Sequence, residues 1–586
     1  MRQFFKFMFA SMLGTFILII LVTLVSIGIL AAIVATASSD DTVISKNTVL
    51  RVTFSKSIVD RSSKTKVVMG YAGPDNSTGL NDLLDNLKKA KKDDNISGIY
   101  LDLSDIPAGI STVEEIREAL LDFKTSGKFI WAYSEVYSQK SYYLATVADR
   151  IFLNPQGVVD FKGLATQMTF LKGMLEKLDI KMQIIRHGKF KAATEPLFLD
   201  KMSPENRKQT TKLIDDIWNK MVTGISETRK ISKPDLNRIA DSLKIQTAAD
   251  ALKYKFVDQL IYKDELISEM KKKLKIGEGK SIQYVTMESY TNVAEKKKSG
   301  QAGDKIAIIY ASGSIGGGEG DDQSIGSERI SRAIRKARED EKIKAIVFRI
   351  NSGGGSALSS DIIWREIDLA RKTKPVVASF GDVAASGGYY IACAATKIVA
   401  DPTTITGSIG VFGMVPNFEG LFTKKLGITF DWAMTNKNGD YIPVMKPLSP
   451  YQTMLIQRDV DNIYDVFTGK VAEGRKLTKA QVDSIGQGRV WSGTDAKAIG
   501  LIDEFGGLTK SLQIAADLAK IKNYRIISLP EQKEWYEKLI EQITGNEPSA
   551  RLKAALGEDY KYYMYLKEIR EMKGVQTRML FDYDIN

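Results

Sequence analysis

The chain predicts an α/β fold: one βαβ-type unit duplicated in tandem, behind an N-terminal transmembrane helix. Three observations lead there. A length of 586 residues exceeds what one hydrophobic core organises. Short apolar stretches alternate with helical patterns, which implies parallel strands covered by helices. The chain also aligns with itself at a long, constant offset.

From the N-terminus, Arg2 and Lys6 precede an uncharged run over residues 7–39, and Asp40 and Asp41 follow. About 20 apolar residues cross a bilayer. The basic-before-acidic order places the N-terminus inside and the rest on the extracytoplasmic side of the cytoplasmic membrane. Ala35-Thr36-Ala37 resembles a signal-peptide cleavage site. The apolar region is longer than the ~7–15 residues of such peptides, so residues 1–40 are expected to be an uncleaved, single-pass anchor.

With 83 basic and 71 acidic residues the net charge is +12. This favours anionic membrane surfaces but lacks the clustering of a nucleic-acid groove, so no nucleic-acid partner is expected. Cys393 and His187 are the single cysteine and single histidine. Their count excludes an intrachain disulfide and a zinc site of imidazole and thiolate, and no cofactor is expected.

In the self-alignment, Ile96-Ser97-Gly98-Ile99-Tyr100-Leu101 corresponds to Ile343-Lys344-Ala345-Ile346-Val347-Phe348. Likewise Tyr142-Tyr143-Leu144-Ala145 meets Tyr389-Tyr390-Ile391-Ala392, Pro155 meets Pro402, and Met202-Ser203-Pro204 meets Leu448-Ser449-Pro450. The expected units are residues 46–275 and 304–520. Between them lies a linker, 276–303, with one short strand at 281–285, and after them a helical extension, 521–586, whose tyrosines at 560–565 would cover a core or interface.

Residues 376–378 read as the end of a buried strand and 388–395 as a helix, so Ser386 falls on the strand-to-helix turn. A helix starting there leaves N–H groups aimed at charge developing beside the hydroxyl. Small residues at such a turn also simply pack helix on sheet, so the turn alone decides little. Upstream, the strand at 345–350 runs into Asn351-Ser352-Gly353-Gly354-Gly355-Ser356, a second source of free N–H groups. In the first unit Ser386 aligns with Gln139, and the glycine run with Ser104-Asp105-Ile106-Pro107-Ala108. One complete site per chain follows.

Asn351-Ser352-Gly353-Gly354-Gly355 followed by Ala384-Ala385-Ser386-Gly387-Gly388-Tyr389 resembles the signature of signal peptide peptidase type A. That family comprises membrane-bound serine proteases of the Clp protease/crotonase superfamily (peptidase family S49). Gly353 stands where the family has proline, and both following glycines are in place. The resemblance implies a Clp protease/crotonase-like fold for each unit, Ser386 as nucleophile, and an oxyanion hole from the N–H groups of Gly355 and Gly387. Arg186-His187-Gly188-Lys189-Phe190-Lys191-Ala192-Ala193-Thr194-Glu195-Pro196 is similar to the family stretch carrying the general-base lysine, which falls on Lys191.

The implied Ser-Lys dyad spans the two units. A solvated lysine titrates near ~10.4, so burial must lower it by roughly 2–3 units before it serves as a base. Two rivals lie beside it. His187 needs no such shift, and simple chemistry prefers it, although it also reads as a polar turn residue. Strand alternation would put Lys189 on the same face as Lys191. The family motif decides for Lys191; Thr194, Glu195 or a nearby serine would orient it.

Two other glycine runs read as structure: residues 313–320 as a mobile surface loop, and 407–413 as lining of the substrate groove. The function implied by the resemblance is hydrolysis of residual signal peptides and other membrane proteins, by a homotetramer. The alternatives are a crotonase-type acyl-CoA enzyme and a noncatalytic membrane scaffold.

Overall fold

The computed structural model describes residues 2–37, 44–62, 77–293, 303–532 and 576–578. Asp40, Asp41 and the tyrosines at 560–565 lie outside them. The helix Arg2–Ala37 is followed by two α/β layers, and its Arg2–Val25 part has a mean hydropathy of 2.5. It is the one helix among the described residues long and apolar enough to cross a membrane.

The first sheet runs Gln259–Leu260, Arg150–Val159, Phe129–Tyr137, Ile96–Asp102, Thr48–Val52, Tyr284–Thr286, with every neighbouring pair parallel. Six of the eight strands of the second repeat this order, again parallel: Glu504–Phe505, Lys397–Ala400, Val376–Ala385, Ile343–Ser352, Lys305–Ser312, Arg525–Leu529; Ile405–Gly407 also pairs with Val376–Ala385 and carries Val490–Ser492 antiparallel. Strands such as Lys305–Ser312 are almost continuously apolar because parallel sheets are covered on both faces.

The edge strands agree only in part with the sequence expectation. The short strand expected at 281–285 is present as Tyr284–Thr286, but as the sixth strand of the first sheet and not an isolated strand within a linker. Arg525–Leu529, expected in a helical extension, is its counterpart in the second, and Gln576–Arg578 is also a strand. Neither stretch carries period-3.6 patterning. Tyr284–Thr286 and Arg525–Leu529 each pair in parallel with the strand otherwise last at that edge of the sheet, Thr48–Val52 and Lys305–Ser312.

The two units share a core. Leu101, Ile130 and Tyr143 of the first pack in one apolar cluster with Val347, Val377 and Leu508 of the second. A buried ion cluster crosses the same seam: Arg349 meets Asp60 at 2.7 Å and Glu115 at 2.6 Å, and donates to the Phe380 carbonyl at 3.0 Å. Asp382 accepts from the backbone N–H and hydroxyl of Thr112 at 3.0 and 2.7 Å. The strand leading to Ser386 is thereby fixed from the other unit.

A third sheet draws strands from both units, in the order Ser324–Gly326, Ser314–Gly316, Gly354–Ser356, Gln576–Arg578, Phe412–Asn417, Lys181–Arg186. The loop expected at 313–320 thus contributes a strand, with Ile315 paired to Gly355.

Candidate active site

The strand Val376–Ala385 ends at Ser386, and the helix Gly387–Ala392 starts at the next residue. Ser386 has φ 54° and ψ −116°, a conformation L-residues avoid. Its N–H donates to the Gly407 carbonyl at 2.8 Å and its carbonyl accepts from Tyr390 N–H at 2.9 Å, which hold the strained turn. The helix start lies close on the upstream turn: a Cβ on Gly388 would meet the Ser352 carbonyl oxygen at 2.5 Å. Gly354, at φ 103°, has no room for a Cβ either, which would sit 2.7 Å from Gly387 N. Gly354–Ser356 and the N-terminus of the Ser386 helix therefore converge.

The lysine arrives from the other unit. Lys181–Arg186 pairs antiparallel with Phe412–Asn417, in a register running from Arg186 opposite Phe412 to Lys181 opposite Asn417. Beyond it, His187 N–H donates to the Val411 carbonyl at 3.1 Å and Phe190 N–H to the Gln487 carbonyl at 3.0 Å. Gln209 ties both units by donating to the Phe190 carbonyl and accepting from Val490 N–H. Lys191 then passes along two glycines: a Cβ on Gly488, which has φ 80°, would stand 2.5 Å from Lys191 Cβ, and one on Gly410 would stand 3.3 Å from Lys191 Cδ.

Lys191 is 1% exposed and Ser386 fully buried. Lys191 Nζ lies 2.8 Å from Ser386 Oγ and 3.1 Å from Ser408 Oγ, and donates to the Ser408 carbonyl at 3.3 Å. Burial pushes the Lys191 ammonium from 10.5 down to about 7, because the charged form loses its hydration.

The rival bases lie elsewhere. His187 is hydrogen-bonded to Asp461 at 2.7 Å and stacked on Tyr464 at a 3.9 Å ring separation. The chain bends at residues 187–189, so the alternation expected from an extended segment breaks and Lys189 is exposed while Lys191 is buried. Of the expected orienting residues, Glu195 accepts instead from Ser203 and Asn206, and the Thr194 hydroxyl has no hydrogen-bond partner. The residue that does touch the lysine is Ser408. Its glycine-flanked segment was expected to line the substrate groove, and no spacing rule connects it to a lysine 217 residues away.

In the first unit the corresponding turn is filled. Gln139 Oε1 accepts from the N–H groups of Lys162 and Gly163, both at 3.0 Å, and its amide donates to the Gly163 carbonyl. Among the described residues one carboxylate cluster has metal-like spacing: Glu114, Glu118 and Asp401, with oxygens within 4.8 Å of one another. Lys220 pairs with Glu114 at 2.7 Å and supplies positive charge there, while burial and Glu114 push Asp401 up to about 8.

A buried serine on a strained turn, in contact with a lysine whose charged form burial disfavours, is equipped for nucleophilic attack on a carbonyl. That chemistry and the α/β fold are those of a serine hydrolase. The sequence model of Peptidase family S49 matches residues 122–277 and 368–522, once in each unit. Protease 4 of Salmonella typhi is 37% identical over 476 residues, covering 80% of this chain and 76% of the relative. The chloroplastic serine protease SPPA of Arabidopsis thaliana is 35% identical, over 85% and 74%. Protease 4 of Haemophilus influenzae is 35% identical, over 75% and 72%. Among solved structures, ClpP1 from Listeria monocytogenes overlaps 35% of this chain and 94% of its own, at 16% identity and a TM-score of 0.23, too slight a likeness to argue from. The chain belongs to peptidase family S49 and is a serine peptidase with a duplicated α/β fold. Peptides are its substrates, so the acyl-CoA and scaffold alternatives fall away.

Proposed function

We propose that this peptidase works through a Ser386–Lys191 dyad assembled across its two units. The observation that carries the proposal is the 2.8 Å contact between Lys191 Nζ and Ser386 Oγ in a buried setting. Neutral Lys191 takes the Ser386 proton as Oγ attacks the scissile carbonyl. The oxyanion is held by the N–H groups of Gly355 and Gly387. The lysine ammonium then protonates the leaving amine, and water, deprotonated in turn by Lys191, releases the acyl group. Ser408 accepts a hydrogen bond from Nζ and turns the lone pair toward Ser386.

The enzyme is anchored by Arg2–Ala37 in the cytoplasmic membrane, with its catalytic units on the extracytoplasmic side. A site tethered there meets apolar peptides, including signal peptides left after secretion and segments of other membrane proteins. Support for a homo-oligomer, a tetramer by family resemblance, comes from Leu426, Ile428, Trp432 and Met434, large apolar side chains exposed close together in sequence.

The test is hydrolysis of a fluorogenic apolar peptide by the detergent-solubilised chain. Ser386→Ala and Lys191→Ala are expected to abolish turnover and His187→Ala to preserve it. The opposite pattern for the two bases would refute the dyad.

A further inference from the structure

The helix Ala357–Arg371 starts directly behind the glycine strand, with Ser356 as its N-cap, and the helix Gly387–Ala392 starts directly behind Ser386. Their first turns touch: a Cβ on Gly387 would lie 2.8 Å from Ser360 Oγ. About one helical turn past each start, the Tyr390 hydroxyl donates to Asp361 Oδ1 at 2.8 Å. A third helix, Pro450–Arg475, closes the link. Its Lys470 pairs with the same Asp361 oxygen and lies 3.3 Å over the Trp364 ring, and its Phe467 packs on the Tyr390 ring at 4.5 Å. The Asp361 side chain is 43% exposed, and an ion pair that open contributes little by itself. The weight falls on Tyr390, which is buried. Burial and the Asp361 charge push its hydroxyl up, so it stays a donor at every working pH.

The same bond recurs in the first unit, at the offset of the self-alignment: Tyr143 donates to Glu114, and Lys220 pairs with Glu114 at 2.7 Å. The tyrosine–carboxylate bond is thus part of how each unit packs. Only in the second unit does it lie behind a serine nucleophile, because Gln139 occupies the matching turn of the first.

We propose that Tyr390, held by Asp361 and Lys470, is a positioning residue for catalysis: it sets the spacing between the Ser386 turn and the glycine strand, and with it the placing of the Gly355 and Gly387 N–H groups around the oxyanion. The proposal rests on reading those two groups as the oxyanion donors. Donors carried by separate helices act on one oxygen only while the helices keep their spacing. A misplacement of about 1 Å can cost about 10²-fold in rate. Removing one buried hydrogen bond while the Tyr390 ring keeps its packing moves them less, and about tenfold is expected.

The test compares Tyr390→Phe with Tyr143→Phe in the full-length chain in detergent micelles, on a fluorogenic apolar peptide and with a peptide aldehyde as inhibitor. Ser386 Oγ adds to the aldehyde carbon, Lys191 takes the hydroxyl proton, and the aldehyde oxygen becomes the oxyanion. Tyr390→Phe should lower kcat about tenfold, leave KM within about twofold and raise the aldehyde inhibition constant about tenfold, with the pH midpoint kept near 7. Tyr143→Phe removes the matching bond of the first unit and should change none of these. Asp361→Ala removes the acceptor at a position open to solvent and should reproduce Tyr390→Phe, which decides the matter if the tyrosine variant does not fold. Unchanged kcat and aldehyde affinity in Tyr390→Phe and Asp361→Ala overturn the positioning role and leave the dyad intact. Equal losses in the two tyrosine variants, or a rise in KM with kcat kept, also overturn it, because they report a general loosening of the fold. An aldehyde that fails to inhibit the wild type overturns the oxyanion reading and the positioning role with it.

Discussion

Substituting methionine for Lys191 removes the titrating group and keeps its apolar stem, so it separates chemistry from packing. Burial lowers this lysine from 10.5 to about 7, so about half is neutral at pH 7, against about one in 2,500 for a solvated lysine. Wild-type kcat/KM on a fluorogenic peptide is therefore expected to fall about tenfold per pH unit below pH ~6, with a midpoint near 7 and a plateau above pH ~8. Lys191→Met should lose about 10²–10⁴-fold at every pH.

The same displacement has a stability side. The unfolded chain binds this proton more tightly, so between about pH 7 and 10.5 the unfolded state carries more protons and stability rises with pH. Below pH 7 the full cost, about 5 kcal/mol, is present. Lys191→Met removes it. The variant should melt higher than wild type at pH 6, by a margin that shrinks toward pH 10, in scans at one fixed heating rate. A wild-type rate that stays flat down to pH 5, or a melting gain that does not change with pH, would refute the assignment of this titration to Lys191.

Further outcomes follow from neighbouring contacts. Ser408→Ala removes a hydrogen bond to Nζ at 3.1 Å and should lower kcat about tenfold with little change in KM, read from full saturation curves. Gly488→Ala places a methyl 2.5 Å from Lys191 Cβ and 2.8 Å from its Cδ, at a φ of 80°, and should cost about 10²-fold in kcat/KM while circular dichroism stays native. Arg349→Met leaves Asp60 and Glu115 buried without their cation and should destabilise the chain by about 3–5 kcal/mol, seen as a lowered melting temperature. Gln139→Ala opens the filled turn of the first unit and should leave peptide turnover unchanged, because that unit has glutamine, not serine, at the position that aligns with Ser386.

Much of the fold was legible because its signals are local. Apolar runs flanked by turn residues mark the strands at 96–102 and 343–352, and self-alignment exposes the duplication without reference to packing. The strand at 281–285 was legible, but not its place at the edge of the first sheet, and Arg525–Leu529 was not legible as a strand, because the partners of both lie far away in sequence. The strand at 576–578 is the extreme case, three residues that pair with Gly354–Ser356 and Phe412, both far away in sequence.

The sequence by itself determined that Ser386 sits on a strand-to-helix turn beside a glycine strand, that only the second unit carries that pair, and that an apolar helix precedes both. It left three basic residues, His187, Lys189 and Lys191, competing within five positions. The tertiary structure separated them through burial. A bend turns Lys189 to solvent, Asp461 and Tyr464 hold His187, and two glycines of the second unit let the Lys191 stem pass into a desolvated space against Ser386 and Ser408. Desolvation and proximity across nearly two hundred residues depend on how two units pack, and no local pattern encodes either.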